Sequence, residues 1–308
     1  MELRQLRYYV RVVELGGIGR AARDLEVVPS TLSQQVSRLE NELKTRLLQR
    51  SVGGVSATDA GMAFYRQAQL ALRHVDDAVR AAQQARLSGH VSLGMPPSAA
   101  AVLALPYLSA MRERYPDVRL RLVESLSSNL AAMLEARQLD LAILFKSGAA
   151  RADGVLPLVE ERLFLIGLAS MPELKKLQAS GVEIRQLVDV PLVLGSQGVR
   201  GAVDAAFERA GCMPRIVLEI DGLSVLLDAV RAGIGATIQP GSSTLRLPHD
   251  AVARIEITDP DARRLNMLVS LSDDELSPAV LAARIVLRET VKMLVLTGRW
   301  PGASIQGS

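Results

Sequence analysis

Apolar positions in the first sixty residues recur at helical spacing, break, and recur. Leu6, Tyr9, Val10 and Val13 share one face of a first helix, which Gly16-Gly17 ends. A short helix over Ile18 to Leu25 follows. After the break at Glu26-Val27-Val28, Pro29 suits a first helical turn and opens a third helix. There Leu32, Val36, Leu39 and Leu43 repeat at steps of four, three and four, so they form one face. Gln34 points away from that face. Ser30, Ser37 and Arg38 flank it, and Thr31 and Ser33 sit at the edges. A helix with an apolar back and a front of amides, hydroxyls and a guanidinium suits major-groove edges and phosphates. Any solvated helix has such a front too, but the order of short helix, tight turn and longer helix predicts a helix-turn-helix.

Two short extended arms follow, Leu47–Ser51 and Val55–Thr58, with Gly53-Gly54 between them. The glycine pair predicts a hairpin turn with both central residues at positive φ. A hairpin after the third helix makes a wing, and Arg50 with the amides of Gly53 and Gly54 is its candidate phosphate or minor-groove contact. Thr58 is placed to cap a long helix from Asp59 to about Leu87. Along it Phe64, Ala68, Ala71, Val75, Ala78, Ala82 and Ala85 trace a heptad seam. The seam fits a dimer contact or a helix folded on its own domain. The dimer is preferred, because a helix-turn-helix works as a pair on a two-fold site. The expected organisation is 1–58 for the winged domain, 59–88 for the linker helix and 89–308 for the rest.

From Ser88-Gly89-His90 onward, strand-like runs alternate with helical patterns. Strands are expected at Val91–Gly94, Val118–Leu122, Leu139–Phe145, Leu163–Leu168, Leu192–Leu194, Ile216–Ile220, Ile234–Ile238, Arg254–Ile257 and Asn266–Ser270. Helices are expected at Ser98–Tyr115, Asn129–Arg137, Ala202–Ala210, Leu223–Ala232 and Pro278–Leu296, and the tail from Gly298 reads as loose. Such alternation predicts an α/β domain, long enough to form two lobes with crossings near 162 and 267. Ligands in such folds sit at strand ends and helix N-termini. That singles out Ser98, Ser125, Ser127, Ser128, Lys146, Gln197, Arg200 and Thr237, a set suited to a small anion or polar metabolite. Each serine alone also reads as a helix cap.

Composition adds little. The 308 residues, 49% hydrophobic and 22% charged, fit a soluble globular chain, and a net charge of +3 permits nucleic-acid binding without demanding it. The single cysteine, Cys212, excludes an intrachain disulfide and a multi-cysteine zinc site. No signal peptide and no apolar run of membrane-spanning length stand out, which suits the cytoplasm. Gly17-Ile18-Gly19-Arg20-Ala21-Ala22 matches a dinucleotide-binding glycine pattern, but it lies between helices without the strands that site needs. His74, His90 and His249 are scattered, and no nucleophile, base and orienter assemble. No enzyme, metal or cofactor is expected.

The segments Met1–Val10, Ala21-Ala22-Arg23-Asp24-Leu25, Leu32–Glu40 and Thr58-Asp59-Ala60-Gly61 closely resemble the N-terminal domain of LysR-type transcriptional regulators. Leu139-Asp140-Leu141-Ala142-Ile143 and Ala232-Gly233-Ile234-Gly235 resemble that family's effector domain. The resemblance implies a winged helix-turn-helix, a dimerising linker helix, and a two-lobed α/β effector domain like the type 2 periplasmic binding proteins. It further implies a dimer paired into a homotetramer, double-stranded DNA partners at interrupted palindromic promoter sites, and a small-molecule inducer; RNA polymerase is consistent with that role. Family DNA contacts fall on Ser30, Thr31, Ser33, Gln34 and Arg50, and effector contacts on Ser98, Ser127 and the Gly198–Arg200 loop. Glu124-Ser125-Leu126-Ser127 and Glu219-Ile220-Asp221-Gly222 look most like regulators near the nitrogen assimilation control group. Two departures stand out: Val28 replaces the usual polar cap, and Pro29-Ser30 replaces the usual Gln-Pro opening. The alternative from another class is a small-molecule binding protein or enzyme whose N-terminal helices serve assembly only.

Overall fold

A computed structural model describes residues 1–51, 54–83, 87–145, 154–177, 181–196, 198–245, 247 and 252–305; the side chains of 50, 51, 77, 80–83 and 274 are outside that description. The chain divides into two compact units, Met1–Gly89 and His90–Ser308.

In the first unit, α1 (Leu3–Leu15), α2 (Ile18–Asp24) and α3 (Pro29–Leu43) precede a hairpin of β1 (Leu48–Ser51) and β2 (Gly54–Ala57), then α4 (Asp59–Gln83). Leu6, Tyr9, Ala21, Ala22, Leu32, Val36 and Leu39 bury together, so the apolar faces read from spacing do form one core. Gly16 ends α1 at φ +63°, a left-handed conformation glycine adopts without steric cost. Thr58 Oγ1 accepts the N–H of Gly61 at 3.0 Å, a cap on α4. A Cβ at Gly61 would collide with the carbonyl oxygen of Leu47, so α4 reaches the hairpin only through glycine.

Two expectations change here. The hairpin register pairs Ser51 with Gly54. Gly54 therefore belongs to β2 at φ +131°, and the connection is 52–53, outside the described residues, not Gly53-Gly54. The heptad seam divides. Phe64 and Ala68 pack into the winged domain's own core, with Phe64 edge-on to Tyr9 at 5.4 Å. The domain itself is the neighbour that the spacing did not reveal. Leu72 continues the same stripe, and Val79 beyond it is 50% exposed. The side chain of Ala82, and Ala85 altogether, lie outside the described residues.

The second unit opens with β3 (Gly89–Met95), α5 (Pro97–Arg114), β4 (Val118–Glu124), α6 (Ser127–Glu135) and β5 (Leu141–Phe145). The chain then enters β6 (Val155–Gly167), followed by α7 (Pro172–Lys175), β7 (Leu192–Leu194), α8 (Arg200–Arg209), β8 (Ile216–Glu219), α9 (Leu223–Arg231), β9 (Thr237–Pro240) and β10 (Ala253–Glu256). It returns through β11 (Arg263–Ser270) to α10 (Pro278–Leu296) and β12 (Ala303–Ser304). The sheet runs β10-β6-β11-β5-β3-β4, with β9 and β12 also on β6 and a separate β7-β8 pair. β3 and β5 are parallel, while β11 is antiparallel to both its neighbours.

β6 makes the two lobes. Its first half pairs with β11 and β12, and its second half with β9 and β10. Leu163 and Leu165 therefore join the second-lobe core with Leu192, Val203, Phe207 and Ile238. Leu130, Leu134, Leu139 and Ala142 pack in the first lobe. The outward crossing is at Arg162–Leu163. The return is at Ala262–Arg264, earlier than 267, because Asn266 and Met267 already pair with β5. The tail is not loose. Trp300 is 2% exposed, and Ala303 and Ser304 pair with β6. Among the described residues, no helix is long and apolar enough to cross a membrane.

Candidate functional site

Two surfaces concentrate chemistry. On the first unit, α3 buries Leu32, Val36 and Leu39 and exposes Ser30, Thr31, Gln34, Ser37 and Arg38, with Ser33 half-buried. Val28 supplies no side-chain cap, and Pro29 at the first turn has no N–H. The free amides of that turn and the positive end of the helix dipole are left for an anion. The Arg38 guanidinium is exposed and has no partner among the described residues.

The hairpin is locked to α3 by Glu40. Its Oε1 accepts the main-chain N–H of Leu47 at 2.8 Å and of Leu48 at 3.0 Å, and its Oε2 accepts Arg46 at 3.0 Å. Ser33, Ser37, Arg46 and Gln49 line the hollow between helix and hairpin. Gly54 fits against the α1–α2 turn: Val55 N–H donates to Gly16 O at 3.1 Å, and a Cβ at 54 would meet that oxygen at 2.6 Å. Arg20 holds the same corner by donating to Gly16 O at 2.7 Å.

On the second unit, Ser98, Ser127, Phe145, Gly198, Val199, Asp221, Gln239 and Arg264 line one cleft. Its inner cavity has about 60 Å³ open to solvent, and a wider hollow of about 710 Å³ shares Ser127, Phe145, Gly198, Val199 and Arg264. The residues come together because α5, α6 and α8 all start at this place. Ser127 Oγ accepts the N–H of Phe145 at 3.4 Å, joining the start of α6 to the end of β5.

Beneath the cleft lies a buried charge network. Arg264 Nη2 donates to Ser98 Oγ at 2.7 Å, and its Nε to Glu161 Oε2 at 2.8 Å. Glu161, fully buried, also accepts Ser242 Oγ and Trp300 Nε1 at 2.7 Å and Asn266 Nδ2 at 2.8 Å. Burial pushes the Glu161 carboxyl up, but Arg264 and the Trp300, Asn266 and Ser242 hydrogen bonds overcome it and hold the group below the ordinary carboxylate range. The Arg264 guanidinium stacks 3.9 Å from the Phe145 ring centre. Among the described residues, no group of His, Cys, Asp and Glu is placed to hold a metal ion.

Residues 3–62 match the family model of the bacterial regulatory helix-turn-helix protein, lysR family, and residues 84–292 match the LysR substrate binding domain. The chain belongs to the LysR family of transcriptional regulators. The nitrogen assimilation regulatory protein nac of Klebsiella aerogenes is 31% identical over 305 residues, covering 97% of this chain and 98% of that one. Its Escherichia coli counterpart is 32% identical over 252 residues, with 80% and 81% coverage. A full-length OxyR cysteine variant from Pseudomonas aeruginosa shares the fold at TM-score 0.72 and 24% identity, covering 95% of each chain. Full-length CbnR complexed with its target DNA matches at TM-score 0.64 and 24% identity, covering 95% of this chain and 99% of that one.

In this LysR-type regulator the cleft brings together Ser98, Ser127, Gly198 and Val199 from the expected set. Three others of the expected set lie apart from that lining. Ser125 does not line the cleft; it accepts Asn129 Nδ2 at 3.3 Å beside the start of α6. Thr237 is fully buried within β9, and it is Gln239, two residues on, that reaches the cleft. Arg200 lines only the outer hollow and is paired with Asp204 at 2.9 Å and Glu219 at 2.6 Å, so it is no free anion receptor. Lys146, Gln197 and Gly53 lie outside the described residues, as does the side chain of Arg50.

Sequence reasoning missed Arg264, Phe145, Asp221 and Gln239 in the cleft, and Glu40 behind the wing. A signal existed for two of these. Arg264 and Asn266 fall two apart on one face of a strand that continues Met267-Leu268-Val269, and Glu40 sits next to Leu39 on the apolar side of α3. Buried polar groups need partners, so each marked a network.

Proposed function

We propose that this regulator reads promoter DNA through Ser30, Thr31, Ser33, Gln34, Ser37 and Arg38, with the wing at Arg50, Gly53 and Gly54 on the adjacent backbone. Its activity is tuned by a small molecule bearing an anionic group, bound in the cleft at Ser98, Ser127, Gly198 and Val199. The observation that carries the reading is the convergence of three helix starts and the Arg264–Ser98 pair on one cavity. Helix N-termini and a guanidinium-held hydroxyl both favour negative charge on a ligand. The apolar stripe of α4 runs past its own domain to exposed Val79, which supports a dimer through the linker and, by pairing of dimers, a tetramer on an interrupted palindrome. RNA polymerase contact, a cytoplasmic location and the lack of catalysis belong to the same reading. The test is a footprint on DNA upstream of its own locus, at rising salt, with and without a metabolite panel. Affinity should fall steeply with salt through counterion release, and one metabolite should change the protected length. Salt-independent binding overturns the DNA assignment.

A further inference from the structure

The electrostatics of the cleft say what else the ligand carries. Arg264 uses Nε and Nη2 on Glu161 and Ser98, which leaves the two N–H groups of Nη1 without a partner among the described residues. That nitrogen is not sealed off, since Arg264 lines the cavity. Ser98 Oγ accepts from Arg264, so its own O–H is free to donate. These are donors for a carboxylate, but the positive charge behind them is already balanced by Glu161.

Asp221, between β8 and α9, adds a negative charge to the lining. Its Oδ1 accepts the N–H and hydroxyl of Ser196 at 2.7 and 2.8 Å, while Oδ2, among the described residues, meets only that same hydroxyl at 3.0 Å. Oδ2 keeps lone pairs for a ligand. The Ser196 N–H fixes the carboxylate, and Gly195 packs close against it: a Cβ there would stand 3.3 Å from Oδ1. Among the described residues, the other arginines beside the cleft are paired, Arg200 with Asp204 and Glu219, and Arg263 with Glu160. A ligand with only negative charge would meet the like charge of Asp221, and among the described residues no unpaired arginine lines the cleft to offset it.

We propose that the cleft recognises a small zwitterion of amino-acid type, with its carboxylate on Arg264 Nη1 and the Ser98 hydroxyl and its ammonium on Asp221 Oδ2. This rests on the reading of the cleft as the effector site. Size agrees. The inner cavity of about 60 Å³ holds the charged core of such a molecule, and the 710 Å³ hollow beyond Ser127 and Phe145 takes its side chain and sets which amino acid fits.

The experiment is calorimetric titration of the full-length protein with each common amino acid, the matching 2-hydroxy acids lacking the amine, and the matching amines lacking the carboxylate. One amino acid should bind, with both analogues about tenfold or more weaker, the weight of a hydrogen bond to a charged group. Asp221→Asn should remove the preference over the hydroxy acid, and Asp221→Glu should restore part of it. Circular dichroism and the melting temperature confirm that each variant folds. Equal binding of amino acid and hydroxy acid, an unchanged preference in Asp221→Asn, or no binding by any amino acid overturns the zwitterion. If Ser98→Ala weakens a ligand that Asp221→Asn does not touch, the cleft stands and the zwitterion falls. If neither variant changes the affinity of a ligand that alters DNA protection, the cleft reading falls too.

Discussion

Glu40 Oε1, buried at the end of the recognition helix, accepts the main-chain N–H of Leu47 at 2.8 Å, just before the wing begins. One carboxylate thus ties α3 to the start of the hairpin, the two elements proposed to meet DNA. Glu40→Ala strands the buried Leu47 N–H, at about 1–3 kcal/mol, and the half-buried Leu48 N–H at less. The expected outcome is a lower urea midpoint and weaker operator binding, while Glu40→Gln, which keeps one acceptor, retains most of the stability. Chemical denaturation of the three proteins checks this; indistinguishable midpoints would refute the clamp.

On the proposed reading, Gln34 meets a base and Arg38 a phosphate, and the two roles are separable. Gln34→Ala should weaken operator binding by roughly 1–3 kcal/mol and random duplex far less. Arg38→Ala should weaken both alike and lower the slope of log affinity against log salt by about 0.9, one phosphate contact. Fluorescence anisotropy on specific and scrambled duplexes across a salt series reads both effects.

Replacing Glu161 alone leaves Arg264 charged and buried, a loss of about 3–5 kcal/mol for Glu161→Leu. The double replacement Glu161→Leu with Arg264→Met should recover most of that stability yet abolish the effector response. Recovery of both together would mean that Arg264 takes no part in binding.

Glu161 also gives stability a sign with pH. Its folded-state carboxyl is held low, so its contribution is present above the ordinary carboxylate range and lost as pH falls through the folded value. The melting-temperature gap between wild type and Glu161→Gln should be largest at neutral pH and narrow on acidification. A gap that widens toward low pH contradicts the assignment.

Val79 is 50% exposed on the stripe of α4 that buries Ala68 earlier in the same helix. Val79→Asp should leave the monomer's fold intact and halve the mass seen by light scattering. An unchanged mass places the dimer contact elsewhere.

The amino-acid order was enough to show the winged domain, because its core repeats at short range: Leu32, Val36 and Leu39 bury together as their spacing requires. It also placed Ser98 and Ser127 at helix starts, a local property. Tertiary structure alone decided the rest, because the partners are far apart in the chain. Arg264 and Ser98 are 166 residues apart, Trp300 and Glu161 139, and only the sheet that threads β6 through both lobes makes them neighbours. The split of the α4 seam, the engagement of Arg200 and the packing of the tail follow the same rule. Periodicity says that a face will be covered and a charge paired, and the fold chooses by what.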